Sequence, residues 1–202
     1  MFDIRVRRLV DPVLERMADL AVRNRISADT LTTAGCIAGL SAAGCIATGA
    51  VLTGLTLFLV GRCLDGLDGT VARRTGPTNR GGFLDIVLDF LVYATIPLGF
   101  AILDPAANAL AACTLLASFL ANGTAFLAFA LMQERGGSSA LPRGGKAFHY
   151  LAGLAEGTET IAAFSLFCLW PSAFAPLAYA FAALCAISAA ARIVLAWRML
   201  GA

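Results

Sequence analysis

The stretch from Arg62 to Phe90, RCLDGLDGTVARRTGPTNRGGFLDIVLDF, carries Asp65, Asp68, Asp85 and Asp89. Asp65 and Asp68 stand three apart, and Asp85 and Asp89 four apart, so each pair shares one face of a helix. Four converging carboxylates repel one another and lose hydration. They must protonate or gather cations. Oxygen ligands without sulfur or imidazole select hard ions, namely magnesium, manganese or calcium. Four such groups can hold two ions about 4 Å apart, the arrangement of two-metal sites that act on phosphates. A purely structural reading pairs some of the acids with Arg62, Arg73, Arg74 or Arg80; it balances charge but leaves the spacing unexplained. Gly66, Gly69, Ala72, Gly81 and Gly82 leave the helix faces beside the acids bare, so a phosphate-bearing ligand could approach the backbone. Arg73, one turn past Gly69, offers a planar fork for a phosphate.

The elements that must position these residues are apolar. The 202-residue chain is 59% hydrophobic and 14% charged, where soluble domains carry about 25% charged residues. Its mean hydropathy is +0.80. Too little polar surface remains to coat a water-soluble globule. The composition predicts an all-α integral membrane bundle. An acid inside such a bundle is a functional candidate by default.

Apolar segments fall at about 30–50, 51–72, 82–103, 107–132, 147–170 and 173–198, each near the ~20 residues needed to cross a bilayer. They predict six transmembrane helices. Ser27, Asp29 and Thr30 offer capping side chains before the first. A seven-residue turn, 74–80, sets the second and third side by side, bringing the four acids to one depth. Residues 1–26 lack the continuous apolar core of a signal peptide. Val6, Leu9, Val10, Val13, Leu14, Met17, Leu20 and Ala21 recur at helical steps among six arginines, which predicts an amphipathic helix lying in the membrane interface. The alternative is a surface helix packed on protein. The expected domains are therefore 1–26, interfacial, and 27–202, transmembrane and catalytic. Lys and Arg lie before the first segment, between the second and third, between the fourth and fifth, and at the end; the alternate turns have none. The positive-inside rule then puts both termini and the acidic stretch in the cytoplasm, in a multi-pass protein of the cell inner membrane. Gly35 and Gly39 form a small-xxx-small pair suited to close packing within the bundle. The six cysteines read as small apolar packing residues, without zinc spacing or a disulfide framework.

Asp65-x-x-Asp68-Gly69-x-x-Ala72-Arg73 followed by Gly81-x-x-x-Asp85-x-x-x-Asp89 resembles the signature of the CDP-alcohol phosphatidyltransferases. Seven residues separate Arg73 from Gly81 where the family usually has eight, a departure that bears on the nucleotide-side turn rather than on the acids. The later segment HYLAGLAEGTETIAAF is similar to a bacterial inner-membrane branch of that family. The resemblance implies attack of an alcohol on the lipid-side phosphorus of CDP-diacylglycerol, with CMP as leaving group. It implies that Asp65, Asp68, Asp85 and Asp89 ligate two magnesium or manganese ions and that Asp89 also serves as base. It implies that Gly69, Ala72 and Gly81 admit the cytidine and Arg73 holds the diphosphate. It also suggests a homodimer. The partners expected are lipid and a small alcohol, not nucleic acid.

The alcohol is less legible. Glu156 and Glu159 in the fifth segment and Arg192 in the sixth are charges within spans. They read either as a structural ion pair or as an acceptor pocket. Arg192 with Arg143 or Lys146 suits an acceptor bearing phosphate, such as glycerol 3-phosphate or an inositol phosphate; the glutamates suit hydroxyls or an amine. His149 beside Tyr150 reads as interfacial packing. The sequence leans to a polyol phosphate. Rival readings are transfer of a CDP-linked head group to diacylglycerol, a divalent-cation transporter, and a silent CDP-lipid binder. A transporter would carry its ligands near the bilayer midplane on broken helices, whereas these acids cluster at one edge beside an arginine.

Overall fold

The computed structural model describes residues 2–135 and 157–200, with side chains described for 12–132 and 157–198. Among the described residues there are seven α-helices and no strand: α1 Phe2–Arg23, α2 Ala28–Ala47, α3 Val51–Thr75, α4 Asn79–Leu103, α5 Pro105–Arg135, α6 Gly157–Leu169 and α7 Phe174–Leu200. A single 3₁₀ turn, Pro171–Ala173, leads into α7.

The order of α2 to α7 follows the six apolar segments. Length and apolarity by themselves single out four described stretches able to cross a membrane: Ala28–Ala47, Asn79–Leu103, Pro105–Met132 and Pro171–Arg198. Helix α3 is long enough but carries Arg62, Asp65, Asp68, Arg73 and Arg74, so the residues of chemical interest themselves lower its apolarity. Helix α6 is 13 residues long as described; the start of the expected fifth segment, 147–156, lies outside the described residues.

Ser27 caps α2 as expected, its side chain accepting from the Thr30 N–H. The link between α3 and α4 is tighter than the sequence suggests. Helix α3 runs through Thr75 and α4 starts at Asn79, leaving three residues rather than the expected 74–80. Gly76 supplies the positive φ of 101° at the end of α3. Thr78 then caps α4 by accepting from the Gly81 N–H at 3.0 Å. These two local features allow the turn to close within three residues.

Small residues hold α2 against α3 and α4. A Cβ on Gly35 would lie 3.1 Å from the Gly61 carbonyl oxygen, and one on Gly39 would lie 2.6 Å from Val92 Cγ2. On Gly99 it would lie 2.7 Å from the Ala43 carbonyl oxygen. The Gly35/Gly39 pair therefore packs inside the bundle. Phe58, Phe100, Phe164, Phe167 and Phe174 are fully buried and knit α3, α4, α6 and α7 together. Cys36, Cys168 and Cys185 are buried free thiols in the same core. The outer surface is apolar, with Leu52, Leu110 and Leu120 each more than 60% exposed. Water would penalise such a surface, whereas lipid accepts it.

Helix α1 lies against α3. Ala18 and Ala21 are buried with Leu31, Leu67 and Val71, and Leu14 packs on them. Arg74 at the end of α3 pairs with Glu15 and Asp19 of α1. Val13, Met17 and Leu20 stay exposed on an adjoining face. The apolar stripe read as one face thus divides: part sits on protein, part faces outward.

Candidate active site

The acids arise from two neighbouring helix ends joined by the three-residue turn. Asp65, Asp68 and Asp85 each offer a carboxylate oxygen within 4.8 Å of the other two. Asp68 is buried at 5% exposure, and its Oδ2 accepts from the Thr32 hydroxyl at 2.5 Å. Thr32 comes from α2, so three helices meet at this carboxylate. The donors are all carboxylate oxygens close enough to share one hard divalent cation, and mutual repulsion disfavours leaving them bare. The residues therefore fit a magnesium or manganese ion.

Asp89 sits one helical turn beyond Asp85 and has a different partner. Its Oδ1 is 2.5 Å from Arg62 Nη1. The same nitrogen lies 3.6 Å from Asp65 Oδ2 and 3.5 Å from the Tyr93 hydroxyl. Arg62 is buried, with its guanidinium carbon 5.3 Å from the Tyr93 ring centroid and 6.0 Å from that of Phe58. The structure thus groups three of the four acids and gives the fourth a buried arginine. Of the arginines weighed as ion-pair partners, Arg62 takes that role toward Asp89 and Asp65. Arg74 pairs with α1 instead, and Arg80 pairs with Asp29.

A cavity of about 410 Å³ opens beside the three acids. Asp68 and Asp85 form part of its wall, with Gly69, Ala72 and Gly81 beside them. These are the small residues read from sequence as admitting a flat or phosphate-bearing group. Gly81 is constrained twice over: a Cβ there would meet Thr78 Oγ1 at 3.1 Å and Asp29 Oδ1 at 3.2 Å. Arg73 is exposed at the end of α3 and donates to Thr70 Oγ1 at 2.9 Å. Thr32 and Asp29, both on α2, also line this cavity. The sequence reading did not single them out for it, because only tertiary packing brings α2 to the acids. The Ser27 cap was the nearest local signal.

A second cavity, of about 550 Å³, includes Asp89 in its lining. Asp89 and Tyr93 of α4, Asn122 of α5, Thr160 of α6 and Arg192 of α7 all reach its wall. The remainder is largely aromatic or aliphatic, including Phe119 and Phe126. The Arg192 guanidinium carbon is 5.1 Å from the Phe126 ring centroid. Glu159 carries a buried Oε2 with no hydrogen-bond partner among the described residues. Arg143, Lys146, Glu156 and His149 lie outside the described residues.

The apolar helical bundle, with a hard-ion carboxylate group beside a cavity, defines a helical membrane protein equipped to hold a divalent cation. Residues 25–200 match the family model described as CDP-alcohol phosphatidyltransferase. The chain belongs to the CDP-alcohol phosphatidyltransferase family, whose members are transferases of phospholipid biosynthesis. It is 42% identical over 193 residues to the inner membrane protein YnjF of Escherichia coli, covering 96% of this chain and 94% of that one. It is 38% identical over 95 residues to archaetidylinositol phosphate synthase of Methanothermobacter thermautotrophicus, covering 46% of this chain and 45% of that one. Among solved structures, phosphatidylinositol phosphate synthase of Mycobacterium tuberculosis with CDP-DAG bound has the same fold. Its TM-score is 0.70 at 19% identity, over 92% of this chain and 94% of that one. The same enzyme in complex with manganese and citrate gives a TM-score of 0.65 at 20% identity, over 91% and 88% of the two chains.

Proposed function

We propose that this protein transfers the phosphatidyl group of CDP-diacylglycerol to a small alcohol, releasing CMP. The observation that carries this reading is the three-carboxylate group, two members of which, Asp68 and Asp85, stand on the wall of a cavity also lined by Gly69, Ala72 and Gly81. Asp65, Asp68 and Asp85 would hold the first magnesium or manganese ion, with Asp89 and Asp65 available to a second. A metal held by these carboxylates would neutralise the diphosphate and stabilise the departing CMP. Gly69, Ala72 and Gly81 leave space for the nucleotide against the backbone. Arg73 is free to turn from Thr70 toward a phosphate, because its side chain is exposed. Asp89, on the wall of the second cavity, takes the proton of the attacking hydroxyl. The second cavity, with Arg192 on its wall, receives the acceptor; Glu159, Glu156, Arg143 and Lys146 are the further residues proposed to bind it.

The acceptor in this reading is a polyol phosphate, glycerol 3-phosphate or an inositol phosphate. Arg192 supports an anionic acceptor, and the archaeal relative and the mycobacterial enzyme are both named as synthases of inositol phosphate lipids. The six helices α2 to α7 all cross the membrane, with both termini and the acids on the cytoplasmic side. Residues 1–26 form an interfacial unit whose exposed Val13, Met17 and Leu20 enter the lipid surface, and 27–202 form the catalytic unit.

The test follows the phosphorus. CDP-diacylglycerol labelled in its lipid-side phosphate is offered with each alcohol in turn, and a CDP-linked head group is offered with diacylglycerol. Label passing into a new phospholipid with unlabelled CMP released supports the proposal. Product only from the CDP-linked head group would replace it with the donor-swapped reaction.

A further inference from the structure

Arg62 is a buried cation placed where the metal site would otherwise need one. Its Nη1 touches Asp89 Oδ1 at 2.5 Å and lies 3.6 Å from Asp65 Oδ2. Asp65 is also one of the three grouped acids. The guanidinium therefore borders the carboxylate group on the side toward Asp89. An ion bound by Asp65, Asp68 and Asp85 meets no arginine at Asp68 or Asp85 within ion-pair distance among the described residues. An ion bound between Asp65 and Asp89 would have to displace Arg62 or accept a like charge a few ångströms away.

We infer that Arg62 is a tethered competitor for the second metal ion, so that the two ions bind in a fixed order and with unequal affinity. The inference rests on the metal-dependent transferase reading above. Arg62 keeps Asp89 neutralised and oriented while the second position lacks an ion, which spares the core a bare carboxylate. Its hold is incomplete. The Arg62 Nε is buried and has no hydrogen-bond partner among the described residues, so the pose leaves one donor unsatisfied. The Tyr93 and Phe58 rings give the guanidinium a surface that does not depend on Asp89. When an ion, or an ion carried in with the diphosphate, reaches Asp89, Arg62 can give up that contact while keeping the rings. The second ion is then recruited with substrate rather than held in advance. Arg62 is a positioning residue: it acts on the reaction through Asp89 and Asp65.

The experiment counts manganese bound to the purified protein in detergent, without donor or acceptor, by electron paramagnetic resonance of free Mn²⁺ and by calorimetry. The wild type should take one ion first and a second at least about tenfold more weakly, as expected for a nearby fixed positive charge. Arg62→Met should tighten the second ion about tenfold and leave the first within about twofold. Arg62→Lys keeps a cation and should preserve the weak second step. Asp89→Asn should keep the first ion and lose the second. Two equal ions in the wild type, a measurement that needs no variant to fold, overturns the inference. So does an Arg62→Met protein that is monodisperse yet shows the wild-type ladder. An absence of manganese binding to the wild type at all would instead sink the metal reading on which the inference stands.

Discussion

Replacing Thr32 by valine probes the most buried part of the site without touching a carboxylate. The hydroxyl donates to Asp68 Oδ2 at 2.5 Å, with Asp68 at 5% exposure and Thr32 at 7%. Water has little access to replace the lost bond. Valine keeps the branched shape, so the packing of α2 on α3 should survive. A hydrogen bond to a charged group contributes about 1.5–3 kcal/mol. At about 1.4 kcal/mol per factor of ten, that sets a ceiling of roughly 10–150-fold on ion affinity. Residues that orient a metal ligand through such bonds typically change affinity or activity by about 10–100-fold when removed. Thr32→Val should therefore raise the half-saturating magnesium or manganese concentration for CMP release by about 10–100-fold, with maximal turnover recovered at high metal. Thr32→Ser restores the hydroxyl and should stay near wild type. The assay is a metal titration of CMP release, paired with calorimetric binding of manganese. An unchanged half-saturation in Thr32→Val would refute the reasoning. An equal loss in Thr32→Ser would mean that packing, not the hydrogen bond, is at stake.

Four further outcomes follow from the same geometry. Asp68→Asn should abolish turnover while the protein still elutes as a folded, monodisperse species in detergent; near-normal turnover would remove Asp68 from the metal site. Gly99→Ala places a Cβ 2.7 Å from the Ala43 backbone oxygen and should cost about 1–3 kcal/mol by forcing helices apart, seen as a lower melting temperature, whereas Gly44→Ala meets nothing within 4 Å and should leave melting near wild type. Ala72→Leu narrows the cavity beside the acids and should raise KM for CDP-diacylglycerol with little change in melting temperature; an unchanged KM would move the nucleotide elsewhere. Arg192→Gln should raise KM for the acceptor more than for the donor, and the reverse split would reassign the second cavity.

The site was legible where the chemistry is local to one helix. Three- and four-residue spacing put Asp65 with Asp68 and Asp85 with Asp89, and the fold brings carboxylate oxygens of Asp65, Asp68 and Asp85 to within 4.8 Å of one another. Glycine pairs foretold the close contacts of α2, and Ser27 marked its start. What escaped depends on helices that are distant in sequence. Thr32 is 36 residues from Asp68, and no local pattern marks it as that carboxylate's partner. Arg62 could be weighed as a counter-ion from its position, but its choice of Asp89 comes from the packing of α3 on α4. The turn between those helices is expected at 74–80, the seven residues between Arg73 and Gly81, yet α3 continues through Thr75 and α4 begins at Asn79. Arg74 instead reaches α1 and Arg80 reaches Asp29, so charges that seemed to mark a loop stitch helices together. Ala18 was not among the apolar positions read in α1, yet it is fully buried among the residues described there.

The most direct measurement is CMP release by the purified protein from CDP-diacylglycerol, with magnesium or manganese, across separate alcohol acceptors, with Asp89→Asn alongside. Release that requires a divalent ion and one acceptor, and disappears in Asp89→Asn, is the predicted result. No release with any acceptor and either ion, or full release in Asp89→Asn, would contradict the account.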